Sequence, residues 1–195
     1  MRSDNLFIAS LVMVAAACGS PTTQNISSKS DAISSDSLTL IPNKGLVYYL
    51  DEPFSGVSES YYPNDTLAEV LSYEKGVRHG LNKKYYSFGL LSYEALYVNG
   101  KMQGEEKSWW KNGNLRSLSR FEKGVPYSTQ TEWYSSGQKF KEINLAVGKG
   151  EGMQTAWRQN GKIYNNYEAK NGRIFGLKRA NLCYELKEEE VQYAD

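Results

Sequence analysis

"YVNGKMQGEEKSWWKNGNLRSLSR" occupies residues 97–120, and its reading decides the architecture. Glu105–Trp110 is a short run ending in two aromatics, which favour a pleated, half-buried strand. Lys111-Asn112-Gly113-Asn114 contains Asn-Gly, a pair that accepts the positive φ angles of a tight hairpin turn. Leu115–Arg120 returns as a second strand into Phe121, and Glu122-Lys123-Gly124 turns the chain again. Trp109 and Trp110 are neighbours in a strand, so their rings are expected on opposite faces.

The hairpin is one member of a series. Tyr61, Tyr85, Trp109, Trp133 and Trp157 stand 24 residues apart without an insertion. Tyr62, Tyr86, Trp110 and Tyr134 keep the same spacing, and Arg158 ends that row. Five residues before the first row stand Gly56, Gly80, Gly104, Ser128 and Gly152. Four residues after it come Asp65, Gly89, Gly113, Gly137 and Gly161. Two further columns are Gly76, Gly100, Gly124, Gly148 and Gly172, and Tyr49, Tyr73, Tyr97 and Phe121. Self-similarity at a fixed period identifies a repeat array, to be read as units before single residues. Each unit is one β-hairpin, so the expectation is an all-β, elongated and curled antiparallel meander of five 24-residue repeats, about ten strands in all.

Tyr97-Val98-Asn99-Gly100-Lys101-Met102-Gln103-Gly104 followed by Trp109-Trp110-Lys111-Asn112-Gly113 resembles the MORN-repeat variant of bacterial YwqK-type proteins. Gly76-Val77-Arg78-His79-Gly80 is similar to the G-x-x-H-G stretch of MORN repeats proper. The resemblance covers Tyr49 to about Gly176. It implies a non-enzymatic interaction scaffold, and YwqK-type chains are antitoxin- or immunity-like partners of a toxin.

An isolated hairpin is marginal in water, so each unit depends on its neighbours. The row Tyr61, Tyr85, Trp109, Trp133, Trp157 is assigned to packing between repeats, with glycines leaving room for the rings. On that reading Gly104→Val is harmful through sterics as well as turn strain. The row Tyr62, Tyr86, Trp110, Tyr134 emerges on the other face and is the candidate binding face for a protein partner. The alternatives are a row that only packs, and a structural envelope protein contacting glycan or lipid headgroups.

The N-terminus has a different character. Leu6–Ala17 (LFIASLVMVAAA) is apolar but too short for a bilayer core of about 30 Å, which takes about 20 helical residues. It fits the apolar region of a signal peptide spanning 1–17. Ala15-Ala16-Ala17-Cys18-Gly19 resembles a bacterial lipobox, with Cys18 as the lipidated residue; ordinary cleavage after Ala17 is the alternative. This export segment departs from the YwqK pattern and points to a bacterial cell envelope, with the chain held at a membrane by its lipid. Residues 19–37 carry seven serines and little apolar surface, so 18–45 is expected to be the lipidated Cys and a flexible linker. The repeat domain with its caps then spans 46–186, with Pro42–Tyr48 opening the array, Leu177–Leu186 closing it, and an acidic tail at 187–195.

Composition excludes several classes. With 23 Lys+Arg against 22 Asp+Glu, the chain is no dedicated nucleic-acid binder. Cys18 and Cys183 are the two cysteines, so a disulfide framework is absent; a Cys18–Cys183 bridge is the alternative to lipidation. His79, the single histidine, sits in a turn, and no catalytic triad, metal-ligand spacing or cofactor motif can be built around it. Glu105 and Glu106 adjoin in a strand and point apart, which suits solubility better than acid–base work. No catalytic residue, metal site or cofactor is assigned.

Overall fold

Ten runs of six to nine residues are half-buried along most of their length, and a glycine-bearing turn ends nearly every one. Such a pattern has few options besides an antiparallel meander. The structure, a computed structural model, describes residues 32–177. The expected signal peptide, Cys18, Cys183, the closing cap beyond Leu177 and the acidic tail lie outside the described residues.

The chain opens with β1 (Ile33–Ser34), a short 3-10 turn at Ser35–Ser37, β2 (Thr39–Ile41), β3 (Leu46–Tyr49) and β4 (Glu52–Pro53). The repeats follow as β5 (Gly56–Tyr61), β6 (Leu67–Glu74), β7 (Val77–Arg78), β8 (Gly80–Tyr85) and β9 (Leu91–Val98). They continue with β10 (Lys101–Trp109), β11 (Leu115–Glu122), β12 (Val125–Trp133) and β13 (Lys139–Ala146). Last come β14 (Lys149–Trp157), β15 (Ile163–Lys170) and β16 (Arg173–Leu177). From β5 to β16 the strands pair antiparallel in chain order, with β7 beside β6, and β1 lies parallel on the outer edge of β5. Strands β2, β3 and β4 form a separate three-stranded sheet.

The expected all-β repeat meander is therefore what forms, with corrections at its edges. Among the described residues, strands already form within the stretch expected to be linker: β1 lies on the edge of β5, and Val47 N–H bonds the Gly76 carbonyl at 2.8 Å. Covering an exposed edge removes a template for unwanted pairing. In the third unit the outgoing strand begins at Lys101 and the return strand runs on to Glu122, longer than the expected 105–110 and 115–120.

Two kinds of turn alternate along the array. At one end of the strands, Val98 pairs with Lys101 across Asn99-Gly100, whose φ angles are 49° and 77°. Positive φ at both central residues is the mark of a two-residue type I′ turn, and Lys75-Gly76, Lys123-Gly124, Val147-Gly148 and Asn171-Gly172 repeat it. At the other end the turn is wider. Gly113 N–H donates to the Trp110 carbonyl at 2.9 Å and Trp110 N–H to the Asn114 carbonyl at 2.8 Å. There only Gly113 has positive φ, so Asn112 does not share the left-handed conformation expected from the Asn-Gly pair. Asn112 instead accepts from the Asn114 N–H through its side chain at 3.1 Å, a local turn bond available to Asn.

From the second unit on, the column that holds Gly104 marks strand bulges, whereas Gly56 pairs in register. Between Met102 and Glu106 the partner on β9 moves only from Tyr97 to Ala95, so four steps on one strand oppose two on the other. The same offset recurs between β11 and β12 and between β13 and β14. Each bulge frees a carbonyl that the next type I′ turn uses: Arg78, Met102 and Pro126 accept from the N–H of Gly100, Gly124 and Gly148 at 2.8–2.9 Å. Gly104 sits in this bulge at φ +77°, and a Cβ added there would meet nothing within 4 Å. A β-carbon at 104 therefore meets none of the crowding expected of Gly104→Val, and the strain of a side chain at φ +77° is the cost the geometry shows. Ser128 adopts φ 63° at the equivalent place, showing that a side chain fits the space.

The interior is thin. Buried apolar side chains among the described residues are Phe54, Leu71, Ala95, Tyr97, Ala156 and Ala169. Bonds between successive units must therefore carry much of the cohesion that a second layer supplies elsewhere.

Candidate binding face

The residue opening each wide turn is the second aromatic of the pair. Tyr62, Tyr86, Trp110 and Tyr134 each have their backbone N–H and C=O held within the turn, at 2.8–2.9 Å. That fixes the Cα–Cβ vector, and the side chain then reaches along the array. Tyr62 Oη donates to the Tyr85 carbonyl at 2.7 Å and Tyr86 Oη to the Trp109 carbonyl at 2.6 Å. Trp110 Nε1 donates to the Trp133 carbonyl and Tyr134 Oη to the Trp157 carbonyl, both at 2.9 Å. Every rung links a residue of the second aromatic row to the backbone of the first row one unit on. Asn64 and Asn112 add parallel rungs, donating to the Ser87 and Ser135 carbonyls at 2.9 and 2.7 Å.

The four rings of the candidate face are consequently half-buried. Arg116 lies over Trp110, its guanidinium 4.8 Å from the ring centroid. Tyr86 stacks on Phe88 at 5.4 Å, and Tyr134 meets Phe140 at 5.0 Å. In the other row Tyr85, Trp109, Trp133 and Trp157 are half-buried and Tyr61 is 57 % exposed at the array's edge. The two rows thus differ less in exposure than a simple inside–outside split would give. What separates them is role: one row supplies carbonyls and the other supplies donors.

Electrostatics follow the same two faces. Glu105 pairs with Lys107 at 2.8 Å and Arg120 at 2.9 Å, which hold its carboxyl below the ordinary glutamate range. Glu106, one residue on, turns inward; burial raises its pKa, and a bond with Ser119 only partly opposes this. Tyr61 donates to Glu59 at 2.6 Å, and that bond raises the pKa of its phenol. His79 stands between β7 and β8 with Nδ1 3.4 Å from the Asn99 N–H and 3.1 Å from Glu74 Oε2. Among the described residues no group of three His, Cys, Asp or Glu is placed to hold a metal ion.

One periodic column escaped the sequence reading. Ser58, Asn82, Glu106, Gln130 and Gln154 lie two residues past the Gly56/80/104/Ser128/Gly152 column, opposite Leu71, Ala95, Ser119, Ile143 and Tyr167. Ser58, Asn82 and Gln154 are almost fully buried. Asn82 Oδ1 accepts from the Ser72 N–H at 2.9 Å, and Gln154 Nε2 donates to the Asn144 carbonyl at 2.8 Å. Asn82 and Gln154 thus each meet a backbone group beside a bulge, while Asn82 Nδ2 and Gln154 Oε1 stay buried without a partner among the described residues. Their signal was a 24-residue polar column within strands, where surface solubility was the simpler reading.

These hairpins, bulges and rungs are the setting for a comparison with known families. Two stretches of the chain match the MORN repeat variant. They are residues 55–75, covering β5 and β6, and 102–123, covering most of β10 with β11. A search of the curated proteins finds no significant match. MORN repeats are in general protein- or membrane-binding modules of scaffold type, without a known catalytic role. The two matched stretches each contain the aromatic pair and the wide turn, the parts that build the rungs.

Proposed function

We propose that this protein is a non-enzymatic scaffold that is held at a bacterial cell envelope by a lipid on Cys18 and binds another protein along Tyr62, Tyr86, Trp110 and Tyr134. The observation that carries the reading is the rung series. Each ring is clamped at its backbone, and its polar tip is already bonded to the main chain. A partner meeting the exposed part of these rings has no phenol or indole N–H to desolvate and few rotamers to freeze, two costs that usually weaken association. Tyr and Trp are also the residues that most often anchor protein contacts. The resemblance to YwqK-type chains names a toxin as the kind of protein to try first, in an antitoxin- or immunity-like role. Anchoring rests on Ala15–Cys18 alone, and it predicts membrane-fraction recovery that Cys18→Ser abolishes.

The test separates contact from packing at one residue. Trp110→Phe removes the rung but keeps an aromatic ring, whereas Trp110→Ala removes both. On the proposed reading a discrete, stoichiometric protein partner survives the first substitution and is lost with the second, both variants being folded by circular dichroism. Retention of the partner in folded Trp110→Ala and Tyr134→Ala proteins would sink the reading. Loss of glycan or vesicle binding with unchanged protein partners would instead support the envelope-structural alternative.

A further inference from the structure

Where the N-terminal sheet meets the first repeat, the structure forms an open-mouthed cleft of about 440 Å³. That volume lies within the usual range for small-ligand sites, roughly 300–1,000 Å³. Its lining is mixed: the aliphatic part is Leu38, Leu40 and Val47 from the opening segment with Leu71 and Val77 of the repeat. Ser58, which is 0 % exposed, lies at its depth. Two charged groups border the space, and they are not equivalent. Glu69 is paired with Lys84 at 2.7 Å, so its charge is answered. Arg78 is half-buried, and among the described residues no carboxylate stands within ion-pair distance of it. Its surroundings are phenols: the guanidinium lies 5.4 Å from the Tyr97 ring centroid. Burial works against the Arg78 charge, and the hydroxyls of Tyr97 and then Tyr73 more than offset it, so the group stays charged. A half-buried cation without an anion still pays part of its desolvation cost, which an anionic ligand would offset. The Arg78 backbone is itself fixed, its carbonyl taking the Gly100 N–H at 2.8 Å, so the side chain is presented from a rigid point.

We infer that this cleft binds a small aliphatic monocarboxylate, its hydrocarbon among Leu38, Val47 and Leu71 and its carboxylate on Arg78. A planar guanidinium matches a carboxylate in a two-pronged pair. One cation suits a monoanion better than a phosphate dianion, which typically gathers several donors. The inference is independent of the aromatic row and of any protein partner.

Decanoate, decanol and acetate are the probes, titrated calorimetrically into the full-length protein. Decanoate should bind saturably at one site. Decanol should be at least about tenfold weaker because it lacks the charge-assisted bond, worth about 1.5–3 kcal/mol. Acetate should be at least as weak because it buries almost no hydrocarbon. Arg78→Gln should weaken decanoate by about tenfold and leave decanol unchanged. Val47→Phe, which fills the cleft from the opposite wall, should abolish both. Should Arg78→Gln fail to fold, phenylglyoxal modification of wild-type Arg78, followed by mass spectrometry, reads the same contact: decanoate should protect it and decanol should not. Absence of saturable decanoate binding, equal affinity for decanol, or no protection of Arg78 would overturn the assignment.

Discussion

Replacing Tyr62, Tyr86 and Tyr134 together by phenylalanine deletes three hydroxyls and leaves every ring in place. Each hydroxyl donates at 2.7, 2.6 and 2.9 Å to the main-chain carbonyl of the following unit. A typical intramolecular hydrogen bond contributes about 1 kcal/mol net, and more is lost when the abandoned carbonyl stays dry. These sites are part-buried, so water reaches the freed carbonyls in part and the central value of about 1 kcal/mol applies to each. Neighbouring rungs are two strands apart, roughly 10 Å at about 4.8 Å per strand, a separation at which effects add. The triple variant should therefore lose about 3 kcal/mol, a large share of the roughly 5–15 kcal/mol that holds an ordinary domain. Urea unfolding followed by tryptophan fluorescence gives the number, with an unchanged denaturant slope showing that the native state is intact. A loss below about 1 kcal/mol for the triple variant would refute the claim that the rungs bind the units together.

Three other perturbations test separate features. Val147 holds φ 48° in an exposed type I′ turn where Asn99 and Asn171 occupy the same place in other units, so Val147→Asn should raise stability by about 1 kcal/mol in thermal or urea unfolding. Glu106 has its pKa raised by burial, so the folded state binds its proton more tightly than the unfolded state and stability falls as pH rises through that raised value. Glu106→Gln, which places the residue found at 130 and 154, should flatten this part of the pH–stability curve and raise stability at pH 7; an unchanged curve counts against the inward placement. Gly80→Ala brings a Cβ within 2.9 Å of Ser72 Cβ at φ +106°, whereas Gly104→Ala meets nothing within 4 Å at φ +77°. The first should cost clearly more than the second, which carries only backbone strain of about 1–2 kcal/mol; equal losses would contradict the open space beside Gly104.

The repeat was legible because its geometry rests on residue types with few substitutes. A type I′ turn needs positive φ twice, and the glycine of each x-Gly pair declares it every 24 residues. Hairpin count, strand order and the aromatic columns followed from that spacing. The bulges were hidden, because Gly104 looks in sequence like room for a ring, whereas its φ of +77° serves to release a carbonyl to Gly124. The inner polar column was hidden for a related reason. Ser58, Asn82, Glu106, Gln130 and Gln154 share a position but differ in chemistry, and only the register shows that they form one row. Trp110 read as a free ring on an outer face. That its indole N–H points at a carbonyl 23 residues on depends on unit stacking, which no local pattern states. Arg78 was visible only as part of a repeat motif, since the aliphatic wall opposite it comes from residues 38–47, read beforehand as linker and cap.

Affinity capture of a stoichiometric partner by full-length wild-type, Trp110→Phe and Trp110→Ala proteins, each shown to be folded, tests the central functional claim most directly. The scaffold account predicts that the partner stays with wild type and Trp110→Phe and is lost with Trp110→Ala. Equal capture by all three would contradict it, leaving the Tyr62, Tyr86, Trp110 and Tyr134 row as a tie between repeats and nothing more.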